Sequence, residues 1–139
     1  MRCLAIFAIA LVLPLASALA QEDEVDCQNA VTQMDMNICA NKDYEAADVE
    51  LNKVYKQALA ATQAQDKELA EIDANYVGAE EALKKAQRAW IGYRDGQCEL
   101  SGFEARGGSM EPMLVSGCLT ELTRARTKEL QAIAEPEGN

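Results

Sequence analysis

Histidine is absent from this chain of 139 residues. Without imidazole there is no Ser-His or Cys-His pair to generate a nucleophile, and no His-ligated metal site. Cations are scarce as well: 13 Lys and Arg stand against 23 Asp and Glu. Such a surface repels nucleic acid and anionic lipid and draws cationic partners over about a Debye length. Strand-length alternation and internal repeats are missing, which excludes sheet architectures and solenoids. Proline and glycine are missing from Thr32 through Val77, so nothing there interrupts a long helix. Only one long apolar run exists, Leu4 to Leu15, broken by Pro14 alone.

That run reads as the core of a signal peptide spanning residues 1–20. Arg2 supplies the basic start, and Ala18-Leu19-Ala20 supplies the small-x-small site, with cleavage expected before Gln21. The run is short and its following flank, Gln21-Glu22-Asp23-Glu24, is acidic, so a membrane anchor is not expected. Cys3 does not follow the small-residue site, which argues against a lipid anchor. The expected product is periplasmic or secreted, with no membrane association after cleavage. Its 12 basic and 23 acidic residues give a net charge of −11.

Export decides how the cysteines read. Cys27, Cys39, Cys98 and Cys118 are an even set in a short chain bound for an oxidising compartment, so two disulfides are expected. Their spacing is not C-x-x-C, and neither a metal nor another cofactor is expected.

Helical periodicity organises the rest into an all-α, three-helix antiparallel bundle with a long helical hairpin. Residues 21–31 form a polar arm. The helical domain spans 32–134, and residues 135–139 are a polar tail. Thr32 with Asp35 resembles a capping box at the first helix start. Met36, Ala40, Tyr44, Ala47, Leu51, Val54 and Ala58 follow as one stripe, with a reversal near Asn75-Tyr76-Val77-Gly78. The second helix stripe reads Leu83, Ala86, Trp90, Tyr93 and Gln97, and both aromatics are expected in the core. Gly92 and Gly96 either permit close approach of a neighbouring helix or mark fraying toward Cys98. The third helix is expected to be capped by Ser109, with Pro112 in its first turn and Leu114, Cys118, Leu122, Ala125 and Leu130 inward. This arrangement gathers all four cysteines at one pole. Cys27–Cys39 and Cys98–Cys118 are favoured because both close short loops. Cys39–Cys98 with Cys27–Cys118 would staple helices directly and stays open.

Asp48, Asn52, Arg94 and Arg126 border the apolar stripes and read as a structural polar lock between helices. A lone helical carboxylate lacking a second acid, a histidine or a metal is poor hydrolytic machinery, so no catalytic residues are assigned and no enzyme is expected. The loop bearing Arg106, Gly107, Gly108 and Ser109, tied between Cys98 and Cys118, is the candidate partner-binding element.

The motifs Thr32-Gln33-x-x-Met36-Asn37-x-Cys39 and Ala47-Asp48-x-x-Leu51-Asn52-x-x-Tyr55 are followed by Ala86-Gln87-Arg88-Ala89-Trp90-Ile91-x-Tyr93-Arg94-Asp95-x-x-Cys98. Gly107-Gly108-Ser109 and Cys118-Leu119-x-x-Leu122-Thr123-x-x-Arg126-x-x-x-Leu130 complete the series. Together they resemble the lysozyme inhibitor LprI-like N-terminal domains. The resemblance implies an all-helical, disulfide-stabilised, periplasmic or cell-surface domain without enzymatic activity. The family takes its name from a mycobacterial lipoprotein described as inhibiting lysozyme; this chain lacks that member's lipobox. The expected role is binding of lysozyme or another cationic protein, with residues 102–112 entering the enzyme's cleft. The alternative is a periplasmic accessory module that binds another envelope protein.

Overall fold

The computed structural model describes residues 25–135; the expected signal peptide, the first residues of the polar arm and the end of the tail lie outside them. Helix α1 (Gln33–Ile72) begins where the Thr32 hydroxyl accepts the Asp35 N–H at 3.1 Å. Its 40 residues, at 1.5 Å each, make a rod about 60 Å long. A 3-10 turn over Ala74–Tyr76 and Gly78 at φ 143° reverse the chain. Only glycine adopts that φ without strain. Helix α2 (Ala79–Gly102) returns antiparallel. A second 3-10 turn, Phe103–Ala105, and the glycine-bearing loop lead to α3 (Glu111–Ala134), which runs beside α1 and packs most extensively against it. No strand occurs among the described residues, and no helix there is long and apolar enough to cross a membrane.

The apolar core is small. Leu51, Val54 and Ala58 of α1 meet Leu83 of α2 and Leu130 of α3, edged by Tyr55, Leu59, Trp90 and Ala134. Each buried Leu or Val contributes about 1.5–3 kcal/mol by leaving water. The α1 stripe follows its apolar periodicity. The other two helices do not.

On α3 the buried face is Ser116, Thr120, Thr123, Thr127 and Leu130. Leu114, Cys118 and Leu122 are half-buried at its flank, and Ala125 is exposed. At positions 120 and 127 threonine is accommodated because its hydroxyl is satisfied within the helix. Thr120 Oγ1 donates to the Ser116 carbonyl at 2.8 Å, and Thr127 Oγ1 to the Thr123 carbonyl at 2.9 Å. Thr62 does the same on α1, reaching the Ala58 and Leu59 carbonyls. Small side chains are thus buried on both helices of the most extensive packing contact: Ala47, Ala58 and Thr62 on α1, and Ser116 and the threonines on α3.

On α2 the buried row is Leu83, Gln87, Arg94, Cys98 and Gly102, with Trp90 half-buried in line. Ala86, Tyr93 and Gln97 face solvent, and Tyr93 is 57% exposed. The expectation that Tyr93 lies in the core is therefore wrong. Arg94 takes the inward position because its charge finds partners there.

Candidate functional site

Two disulfides fasten one pole of the bundle. Cys27 joins Cys39 with Cα atoms 5.5 Å apart, and Cys98 joins Cys118 at 5.3 Å. The first ties the polar arm to α1, and the second ties α2 to α3. Close by, a Cβ on Gly102 would lie 2.7 Å from Val115 Cγ2, so the two helices meet at a distance only glycine permits.

Between α2 and α3 the loop is held from within. Glu111 organises it: one carboxylate oxygen accepts the Gly107 N–H at 2.8 Å, and the other pairs with Arg106 at 2.7 Å. The Gly107 N–H and the neighbouring guanidinium hold the Glu111 carboxyl below its usual range. Arg106 also lies over the Phe103 ring at 4.5 Å, with its side chain still 56% exposed. Gly107 takes φ 77°, and the Gly108 N–H closes a turn onto the Ala105 carbonyl at 2.8 Å. Ser109 does not cap α3. Met110 occupies the cap position without a side-chain bond, and the Ser109 carbonyl instead accepts the Asn37 side-chain N–H at 2.9 Å. Pro112 lies in the first turn of α3. The loop is therefore bound to α1 as well as to its own helix.

Asp48, Asn52 and Arg94 come together at the α1–α2 seam; Arg126 does not join them. Arg94, 8% exposed, reaches Asp48 at 3.5 Å and its neighbour Asp95 at 2.8 Å. Its guanidinium lies between the rings of Tyr44 (5.5 Å) and Trp90 (5.1 Å). Asn52 donates to both the Asp48 carboxylate and its carbonyl, each at 2.8 Å, which fixes the carboxylate's orientation. Burial pushes the Tyr44 phenol above its ordinary value, while the facing guanidinium pulls it down. Arg126 makes a separate link from α3 to α2, donating to Gln87 Oε1 at 3.0 Å and pairing with Glu129 at 2.7 Å. Two arginines thus serve two different seams because each follows its own helix row.

Glu111 was not singled out from sequence, and Tyr44, Asn37 and Gln87 were read only as stripe or motif residues, without a role at the site. Glu111 carried a usable signal, since a carboxylate four residues after Gly107 can turn back onto an open loop. Gln87 lay four residues after Leu83, in the row that Arg94 continues. Among the described residues no group of three or more Cys, Asp and Glu could hold a metal ion.

The family described as lysozyme inhibitor LprI matches residues 26–130. The chain belongs to this family. It is 71% identical over 124 residues to the uncharacterized protein R02472 of Rhizobium meliloti (strain 1021), covering 89% of each chain. It is 31% identical over 123 residues to the uncharacterized protein YecT of Escherichia coli (strain K12), covering 81% of this chain and 74% of that protein. No solved structure matches. The matched span contains both disulfides, the Asp48–Arg94 cluster and the loop.

Proposed function

We propose that this chain is an exported, non-enzymatic binding protein that inhibits a lysozyme-type muramidase through its cysteine pole. The observation that carries the reading is Arg106, an exposed guanidinium held in place by Glu111 and Phe103 on a disulfide-closed loop. A segment already ordered loses little entropy on docking. The excess of acidic residues steers a cationic enzyme toward the surface. At contact, Arg106 and the Ser109 hydroxyl are the groups suited to meet a glycosidase carboxylate in the cleft. Membership in an inhibitor family agrees with this role and with a periplasmic or extracellular location.

The role assigned to Asp48, Asn52, Arg94 and Arg126 is structural. Asp48→Asn is expected to lower the melting temperature and leave binding intact once the protein is folded.

Purified oxidised protein at micromolar excess is expected to slow lysis of cell walls by a cationic muramidase. Arg106→Ala should weaken inhibition about tenfold without moving the melting temperature, the loss expected for one charge-assisted contact. No slowing at that excess contradicts the function. Inhibition that survives both Arg106→Ala and deletion of the loop tip removes the loop from the mechanism.

A further inference from the structure

The outward face of α2 has no partner among the described residues. Ala82, Ala86, Ala89, Tyr93, Gly96 and Leu100 follow one another at helical spacing, and all are exposed, on the flank about a third of a turn round the helix from the buried row. Tyr93 and Leu100 are 57% and 63% exposed. A Cβ added to Gly92 or Gly96 would meet nothing within 4 Å, so neither glycine serves a contact inside the fold.

The face is divided by size. Its first half carries alanines, its second half carries Tyr93 and Leu100, and Gly92 sits at the junction. Turning one copy of α2 end over end against another, about an axis at Gly92, sets Leu100 against the alanines of the first half. Leu100 then falls between Ala82 and Ala86 of the other copy, and Tyr93 falls between Ala89 and the other Tyr93, so the two rings meet beside the axis.

Charge follows the same centre. Lys85 lies seven residues before Gly92 and Glu99 seven residues after it. Neither has an ion-pair partner among the described residues, whereas the neighbouring Lys84 pairs with Glu80 and Arg88 with Glu81. In the antiparallel arrangement each Lys85 lies opposite a Glu99 of the second copy, and the two-fold axis makes the pair twice. Within one chain these residues are 14 positions apart, about 21 Å along the helix, too far to pair.

We infer that the outward face of α2 is a self-association surface, on which two copies of this chain pack antiparallel about Gly92 with reciprocal Lys85–Glu99 pairs. The dimer points its two cysteine poles in opposite directions and leaves both loops open. A single helix face is a small interface, so association is expected in the micromolar range rather than tighter.

Sedimentation equilibrium of oxidised protein over a concentration series tests it, with circular dichroism to show that each variant is folded. The wild type should dimerise, and more weakly as salt rises. Lys85→Glu and Glu99→Lys should each weaken the dimer about tenfold or more by placing like charges together. The double variant Lys85→Glu/Glu99→Lys should restore it. Gly92→Gln should abolish it, because a side chain at the axis meets its own copy. A wild type that stays monomeric at several hundred micromolar overturns the inference. A dimer indifferent to the charge reversals, or a double swap that fails to restore association, overturns it equally.

Discussion

The two poles of the bundle both reverse the chain, and they are fastened by different means. At the cysteine pole, Cys98–Cys118 closes the loop covalently, Gly102 lets α2 and α3 touch, and Glu111 and Asn37 hold the loop backbone. At the far pole, one carboxylate does most of the work. Asp66 accepts the N–H groups of Gly78 and Ala79 at 2.8 Å and of Glu80 at 3.0 Å, capping α2 from α1. Three backbone donors hold its carboxyl below its usual value. Beyond it Ile72, Tyr76 and Val77 are exposed. The lesson is that covalent and hydrogen-bonded closures give equally defined turns with unequal resistance to opening. The pole with the stronger closure is the one that carries the candidate binding loop.

The largest way to break this difference is to remove the covalent tie. Cys98→Ala/Cys118→Ala frees a 20-residue separation. The chain-entropy cost of about 3 kcal/mol should lower the melting temperature by roughly 10 °C or more in calorimetry. The loop should then exchange its amides as readily as the far pole does. A smaller effect is expected from Asp66→Ala. It should lower the melting temperature less than loss of the disulfide, and should speed exchange at Gly78, Ala79 and Glu80 while leaving Gly107 and Gly108 unchanged.

Acid should sharpen the contrast further. The carboxyls of Asp66 and Glu111 both sit below their ordinary values of 3.8 and 4.5. The folded chain therefore releases these protons more readily than the unfolded chain. The resulting stabilisation is complete above those ordinary values and is lost as pH falls through the lower folded ones. The melting temperature should decline below about pH 4, and Asp66→Asn should flatten that decline. Below this range the far pole should open first, because Cys98–Cys118 still closes the other.

The smallest effect concerns the shaft between the poles. Thr123 is fully buried, and its Oγ1 has no hydrogen-bond partner among the described residues. Thr123→Val keeps the shape and removes the orphaned hydroxyl, so thermal unfolding should be unchanged or shifted upward, by up to about 1 kcal/mol.

How much of this was legible in the sequence differs from helix to helix. The α1 stripe could be read because Ala47, Leu51, Val54 and Ala58 are apolar in type as well as in place. The inward face of α3 escaped a hydropathy reading because Ser116, Thr120, Thr123 and Thr127 count as polar. Their regular spacing was the available signal, and at Thr120 and Thr127 back-bonding to carbonyls one turn earlier makes it workable. On α2 the aromatic Tyr93 outweighed Arg94 in the pattern, although Leu83, Gln87, Trp90, Arg94 and Cys98 form the truer helical row. A buried arginine is acceptable only where carboxylates and rings wait for it, and those come from α1 and from its own helix. Sequence placed the loop between its two cysteines correctly. Its bracing depends on Glu111, a local contact, and on Asn37, a contact that forms only once the starts of α1 and α3 meet.

Residue-resolved hydrogen exchange under native conditions tests the inequality of the poles most directly. With the disulfides intact, the Gly107 and Gly108 amides should exchange many times more slowly than those of Gly78, Ala79 and Glu80, and reduction should erase the gap. Equal rates at the two poles before reduction would contradict a braced, ready-formed cysteine pole.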